Sequence, residues 1–379
     1  MRMAGLCVLL LAVAWPAHAA DLSTLKARLA MVRATHGSDH TFDAGPELNG
    51  IKQALRDWAE PQLPPPGSDI KAATARMNRA LHAAKLTCGD VDKPDYRCPS
   101  FVNGQENDRG YVDEIQLSRY SGGHYLVLTT GTGVYCGFDH SAYLYEQKAG
   151  HWRMVLSIET QRYSERDYAS QNFATIAVSP DRTGHRPLVA ATAYSPWCSS
   201  NWNMLHTRLW RADPANPAPH PLLDRAESLY TGNDGIATLR LKPEDLRVTF
   251  AGGSLDSDNL ARRHTLHYTI GPNDRLTRIA PVADTPVDFV DEWLAAPWAE
   301  ASGWSAPGLE QAHARTAQTG CCGTFGTTRR CPAKDLRQVT FTAEKAPPHY
   351  FLVREGARDT FTLTAVSAAP FPGCDTPAP

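Results

Sequence analysis

From Tyr111 onward the chain repeats a pattern of four short strand-like runs, and this pattern narrows the available folds more than any other feature. The first set is 111–120 (YVDEIQLSRY), 124–130 (HYLVLTT), 142–147 (AYLYEQ) and 151–159 (HWRMVLSIE). The second is 172–179, 187–194, 204–211 and 220–227, and the third is 235–241, 246–251, 263–270 and 275–282. The runs are rich in β-branched and aromatic types, and several of them alternate apolar and polar residues, as expected of strands. Turn formers separate the third and fourth runs of each set: Ala149-Gly150, then 213–219, then 271–274. A fourth, partial set follows at 336–343, 349–355 and 359–366. The unit length is about 60 residues.

Four-stranded antiparallel units in series predict a mainly β, propeller-like fold of about four units, the last one partial. The alternative is a stack of antiparallel sheets. Ahead of the units the hydrophobic period is helical. Leu22, Leu25, Leu29 and Val32 form one stripe with Asp21 or Ser23 as its cap; Leu48, Ile51, Leu55 and Trp58 form a second, closed by Pro61 and 64–66. A third helix is expected over 68–86, with Ile70, Met77, Leu81 and Leu86 inward. Between the third and fourth units lies an insertion, 285–335, with helices near 287–296 and 309–318, then a Gly- and Cys-rich loop. Helical spacing of Trp293 with Phe289 and Leu294, and Trp298 and Trp304 nearby, favours core packing there. The expected organisation is therefore 1–19 as a signal peptide, 20–105 as a helical region with a disulfide loop, and 106–379 as the β domain.

The signal-peptide expectation rests on Arg2, an apolar run over 5–15 (GLCVLLLAVAW), Pro16, and Ala17-His18-Ala19 before a cut at Ala20. The run is shorter than the roughly 20 residues that span a bilayer, so a periplasmic or secreted product with no membrane insertion after cleavage is expected. Discounting Cys7 with the leader, the nine cysteines become eight, an even number that predicts disulfides in an oxidising compartment. Cys88 and Cys98 flank a polar loop and are expected to pair. Cys136 lies ten residues after Leu126, and Cys198 ten after Leu188, which predicts a bond between equivalent loops of adjacent units. Of the neighbours Cys321 and Cys322, one is expected to bond Cys331 and the other Cys374. No CxxC occurs, which argues against structural zinc.

If the units are blades, the loops joining second to third strands open on one face with the inter-blade loops. That face would carry Asp139, His140, Trp197, Asn201, Trp202 and Asp256, joined by Tyr163, Asp167, Tyr168, Tyr230 and Asp234. Aromatic rings and carboxylates on one face suit a ligand surface. Asp139-His140 is the best pair for acid–base work, with Asp167 as a further catalytic candidate. Against chemistry, there is no GxSxG elbow, no HExxH and no complete phosphate loop. The stretch 256–259 (DSDN) lacks the ligands of a calcium loop, and His264 and His267, three apart in a strand, face opposite sides. A net charge of −2 gives no field for nucleic acid. The expectation is an exported envelope protein without cofactor or metal, binding a peptide, glycan or protein through its polar–aromatic face, or alternatively a hydrolase built on Asp139 and His140.

Overall fold

The computed structural model describes residues 22–34, 45–87, 109–134, 137–160, 171–181, 186–195, 200–232, 236–317, 322–357 and 360–377. The fold is mainly β, with 44% strand against 25% helix, in several antiparallel sheets. Three helices come first: α1 (Ser23–Ala34), α2 (Gly45–Ala59) and α3 (Ile70–Ala83). Their stripes are those of the sequence, with Leu25, Leu29, Val32, Ile51, Leu55, Met77 and Leu81 all buried. Asp69 caps α3 by accepting from the Lys71 and Ala72 amides at 2.8 and 3.3 Å.

The first sheet runs β1 (Gln116–Tyr120), β2 (Tyr125–Val134), β3 (Gly137–Lys148) and β4 (His151–Ile158), paired in that order and all antiparallel. Ala149 and Gly150 both take positive φ, 51° and 80°, between paired Lys148 and His151, the two-residue turn whose twist matches the flanking strands. One face of this sheet, Leu117, Leu126, Leu128, Tyr143 and Tyr145, closes a core with the three helices. The helical region is thus built onto the first sheet and shares its interior.

The next eight strands form one sheet: β5 (Asn172–Val178), β6 (Leu188–Ser195), β7 (Trp202–Arg211), β8 (Leu223–Tyr230), β9 (Thr238–Lys242), β10 (Asp245–Gly253), β11 (Ala261–Ile270) and β12 (Leu276–Arg278). The sequence separates these into two units. In the structure the meanders β5–β8 and β9–β12 are joined by a single bridge, Gly252 to Leu229. A Cβ on Gly252 would stand 2.6 Å from the Ser228 carbonyl oxygen, so only glycine lets the two backbones meet there. The outer face of β6 (Val189, Ala191) packs on Val127, Leu144 and Leu156 of the first sheet. Its other face (Leu188, Ala190) shares a core with Val248, Phe250 and Leu266 of β10 and β11.

The insertion supplies α4 (Pro286–Ala295), α5 (Trp298–Ala301) and α6 (Glu310–Ala317). Trp293 and Trp304 are buried there with Phe289, as expected of core packing. The last sheet contains β13 (Gly323–Phe325), β14 (Arg329–Arg330), β15 (Leu336–Ala343), β16 (His349–Glu355), β17 (Phe361–Ser367) and β18 (Thr376–Pro377). Two short strands from the cysteine loop, β13 and β14, pair with β15, so the fourth set has the flank that the sequence pattern leaves out. Cys331 bonds Cys374, which corrects the expectation that each joins Cys321 or Cys322. The physical cause is the antiparallel pairing of β14 with β18, which brings the two ends of this sheet edge together. Cys88, Cys98, Cys136, Cys198 and Cys321 lie outside the described residues.

Candidate functional site

A cleft of ≈ 230 Å³ opens between the first sheet and β5, lined by Asp113, Glu114, Gln116, Ser118, Tyr120, Thr129, His140 and the 173–176 stretch. Its polar side comes from one face of β1 and from the segment before it. Val112 bridges Thr132 while Gln116 pairs with Thr129, so 113–115 oppose only 130–131 and the strand bulges. The extra residue puts Asp113 and Gln116, three apart, on the same face.

His140 is the fixed point of the cleft. Its Nε2 lies 2.9 Å from Asp113 Oδ2, and its Nδ1 accepts the Phe173 amide at 3.0 Å. A backbone N–H only donates, so the hydrogen-bond network assigns the neutral tautomer with the proton on Nε2, donated to Asp113. The ring is stacked on Phe138 at 5.3 Å and lies near-parallel to Phe173 at 5.9 Å. Gly131 is opposite His140 in the β2–β3 ladder, and a Cβ there would stand 2.3 Å from the imidazole Cδ2. The glycine therefore makes the space that the ring occupies. Both nitrogens are engaged within the fold, leaving no lone pair for a substrate, which a general base requires.

The expected Asp139–His140 pair does not form, because both residues lie within β3 and successive side chains of a strand point to opposite faces. Asp139 is 1% exposed and turns toward α2, where Lys52 Nζ lies 2.9 Å from its Oδ2 and donates to the Thr160 carbonyl at 2.6 Å. The stretch 131–141, expected as a loop, is mostly β2 and β3, since their pairing continues through its glycines, Gly131 opposite His140 and Gly133 opposite Phe138. Trp202 and Tyr230 do come together: they are directly paired across β7 and β8, with rings 5.0 Å apart. Asn201 closes that end, its carbonyl accepting the Thr231 amide at 2.8 Å. Asp256 is an Asx turn, Oδ1 accepting from the Asp258 amide at 3.1 Å, and its own amide bonds Ser254 Oγ. Tyr163, Asp167, Tyr168, Trp197 and Asp234 lie outside the described residues. Asp113 and Glu114 carry the cleft's negative charge and were not singled out by sequence; only the bulge reveals them.

Among the described residues no group of His, Cys, Asp and Glu is arranged for a metal ion. His264 and His267 face different partners, Glu292 at 3.2 Å and Asp245 at 2.6 Å, as strand alternation requires.

A second cluster of charge is buried where α4 crosses β11. Glu292 accepts from Arg262 at 2.6 Å and Arg278 at 2.5 Å, while Arg262 also reaches Asp291 at 2.8 Å and Arg278 reaches Glu300 at 2.5 Å. The Arg278 guanidinium lies 4.9 Å from the Trp304 ring centre. Burial alone would push the Glu292 carboxyl up, but the hydrogen bond from His264 and the charges of Arg278 and Arg262 reverse this and hold it well below the usual carboxylate range. Every acid here meets an arginine, so the cluster fastens the insertion to the sheet and has no charge left to offer a ligand.

No protein-family model matches the sequence, and no curated protein matches it. Among solved structures it is similar to one described as a BT0996 RGII complex, at 9% identity over 70% of this protein and 91% of that one, with a TM-score of 0.25. A likeness that loose carries no inference about fold or function.

Proposed function

We propose that this protein is an exported envelope binding protein that holds its ligand in the cleft between the first sheet and β5. One observation carries this: Asp113, Glu114, Gln116, Ser118 and Tyr120 converge on one concave space, while the imidazole beside them has both nitrogens engaged. Convergent polar groups around a preformed cavity suit recognition. The engaged imidazole disfavours the hydrolase, whose carboxylate would also have to be Asp139 on the opposite face of the strand. Export is supported by the apolar leader and by the disulfide Cys331–Cys374. Among the described residues no helix is long and apolar enough to cross a membrane.

The propeller-like arrangement belongs to the same proposal. It draws support from the successive meanders, each packing a face on the next, with β1, β5 and β9 as the first strand of each. The stacked-sheet alternative has the same pairing and differs in closure, which solution scattering of residues 20–379 distinguishes.

Titration of residues 20–379 against peptide and glycan arrays tests the binding assignment. Saturable binding is expected, and Ser118→Trp, which fills the cleft, should weaken it at least about tenfold with an unchanged circular dichroism spectrum. A ligand held equally well by that variant overturns the cleft assignment. Turnover of an ester, amide or glycoside that His140→Asn abolishes overturns the binding-only reading.

A further inference from the structure

The outer edge of β1 is open along the cleft, and its polar backbone groups are aimed into it. The direction follows from Asn78 of α3, whose side-chain oxygen accepts the Ile115 amide at 2.9 Å and whose amide nitrogen donates to the Ile115 carbonyl at 3.0 Å. Both polar groups of Ile115 therefore point away from β2. In an antiparallel pair such residues alternate, so the N–H and C=O of Leu117 and Arg119 point outward too. The other end of the hairpin agrees: the His124 carbonyl accepts from Gln147 of β3, which turns Tyr125 toward β1 and Tyr120 inward. Among the described residues β1 pairs with β2 alone, and nothing takes up the outward groups of Leu117 and Arg119. Asn78 already stands where the peptide group of a neighbouring strand would stand.

Space exists on both sides of that edge. The polar cleft borders one face of β1, and a second cleft of ≈ 480 Å³ lies between β1 and α3, lined by Lys71, Thr74, Ala75, Arg79 and Leu117. Both clefts include Glu114, Gln116 and Ser118, so they are continuous around the edge. The charges differ in sign. Asp113 lines the first cleft beside the His140 imidazole, Lys71 and Arg79 line the second, and Glu114 stands at the border of both. No ion pair among the described residues engages Glu114, Lys71 or Arg79.

We propose that the ligand of this cleft is an extended peptide segment that adds to the first sheet as a strand on the outer edge of β1. Its backbone bonds Leu117 and Arg119, and its side chains alternate, basic toward Asp113 and Glu114, acidic toward Lys71 and Arg79. Strand addition takes its affinity from backbone hydrogen bonds and its selectivity from alternate pockets, which is the division seen here. An open edge that is short and flanked by charge also resists indiscriminate pairing. This inference rests on the cleft assignment above and adds the identity of the ligand.

The probe is a capped hexapeptide alternating lysine and glutamate, followed by fluorescence anisotropy. Two N-methylated forms carry methyl groups on one or the other alternate set of amides. Only one set can face β1, so one form should lose about tenfold in affinity and the other little. Bound peptide should also slow hydrogen exchange at Leu117 and Arg119. Glu114→Lys should weaken the peptide about threefold, with Arg153→Glu, remote from the edge, as the folding-matched control. Equal effects of the two methylated forms, protection elsewhere, or no binding at millimolar peptide would each overturn the strand-addition inference. A glycan or other ligand that Ser118→Trp blocks, with no effect on exchange at Leu117 and Arg119, removes the strand and leaves the cleft.

Discussion

Replacing Glu292 with glutamine should be among the most damaging single changes available to this fold, because it strips the acid shared by two buried arginines. The side chains of Arg262, Arg278 and Glu292 are 3%, 2% and 5% exposed, and the contacts of 2.6 and 2.5 Å leave no room for water between them. Removing one partner of a buried ion pair costs about 3–5 kcal/mol, because the remaining charge stays buried without compensation. Here Arg262 keeps Asp291 and Arg278 keeps Glu300, which places the expected loss near the lower end, about 3 kcal/mol. With a urea m-value of about 3 kcal/mol per molar, the unfolding midpoint should fall by about 1 M. The pH dependence provides the second reading. The folded carboxyl titrates below its unfolded value of 4.5, so its contribution is complete above that value and disappears as pH falls through the lower folded-state value. The gap between wild type and Glu292→Gln should therefore be widest near neutrality and close in strong acid. A loss under about 1 kcal/mol at pH 7, or a gap that widens on acidification, would refute the assignment of this cluster as the fastening between α4 and β11.

Four further outcomes follow from the geometry. Gly131→Ala should destabilise by about 1–3 kcal/mol, since its methyl would overlap the His140 ring; thermal melts check this, and a neutral effect would mean the ring is free to move. Asp139→Asn should cost about 3–5 kcal/mol in chemical denaturation by leaving Lys52 buried at 3% exposure without its carboxylate; an unchanged midpoint would contradict that pairing. Cys331→Ser with Cys374→Ser opens a loop of 43-residue separation and should lower stability by about 4 kcal/mol, measured against the oxidised parent. His140→Asn should leave ligand binding within about threefold if the imidazole only positions Asp113, and a complete loss in titration would show that it touches the ligand.

Tyr143 illustrates how side chains of the sheet serve packing before chemistry. Burial and the neighbouring Glu159 carboxylate hold its phenol well above the ordinary range, and it donates to Glu159 at 2.5 Å beneath α2. The same holds for Tyr145, which donates to Glu60 at 3.0 Å. The Tyr145 hydroxyl joins the helical region to the first sheet directly, while that of Tyr143 does so through Glu159, which pairs with Arg56 of α2 at 3.0 Å; neither residue lines the cleft.

Local pattern alone determined the longer helices, most of the strands and several turns. Leu25, Leu29 and Val32 report a helix because only a period near 3.6 gathers them on one side, and Ala149-Gly150 reports a hairpin because few other turns fit so short a gap. The face of Asp139, by contrast, was hidden: glycines at 131 and 133 look like a loop in sequence, yet they admit the rings of His140 and Tyr111 and let the ladder continue. The bulge before β1 is equally silent in sequence, since an inserted residue has no compositional mark, and it alone puts Asp113 beside an imidazole 27 positions away. Pairing of Cys331 with Cys374 likewise depends on which strands meet at a sheet edge. Periodicity is a property of neighbours along the sequence, whereas a site is made by residues that only sheet register and layer packing bring together.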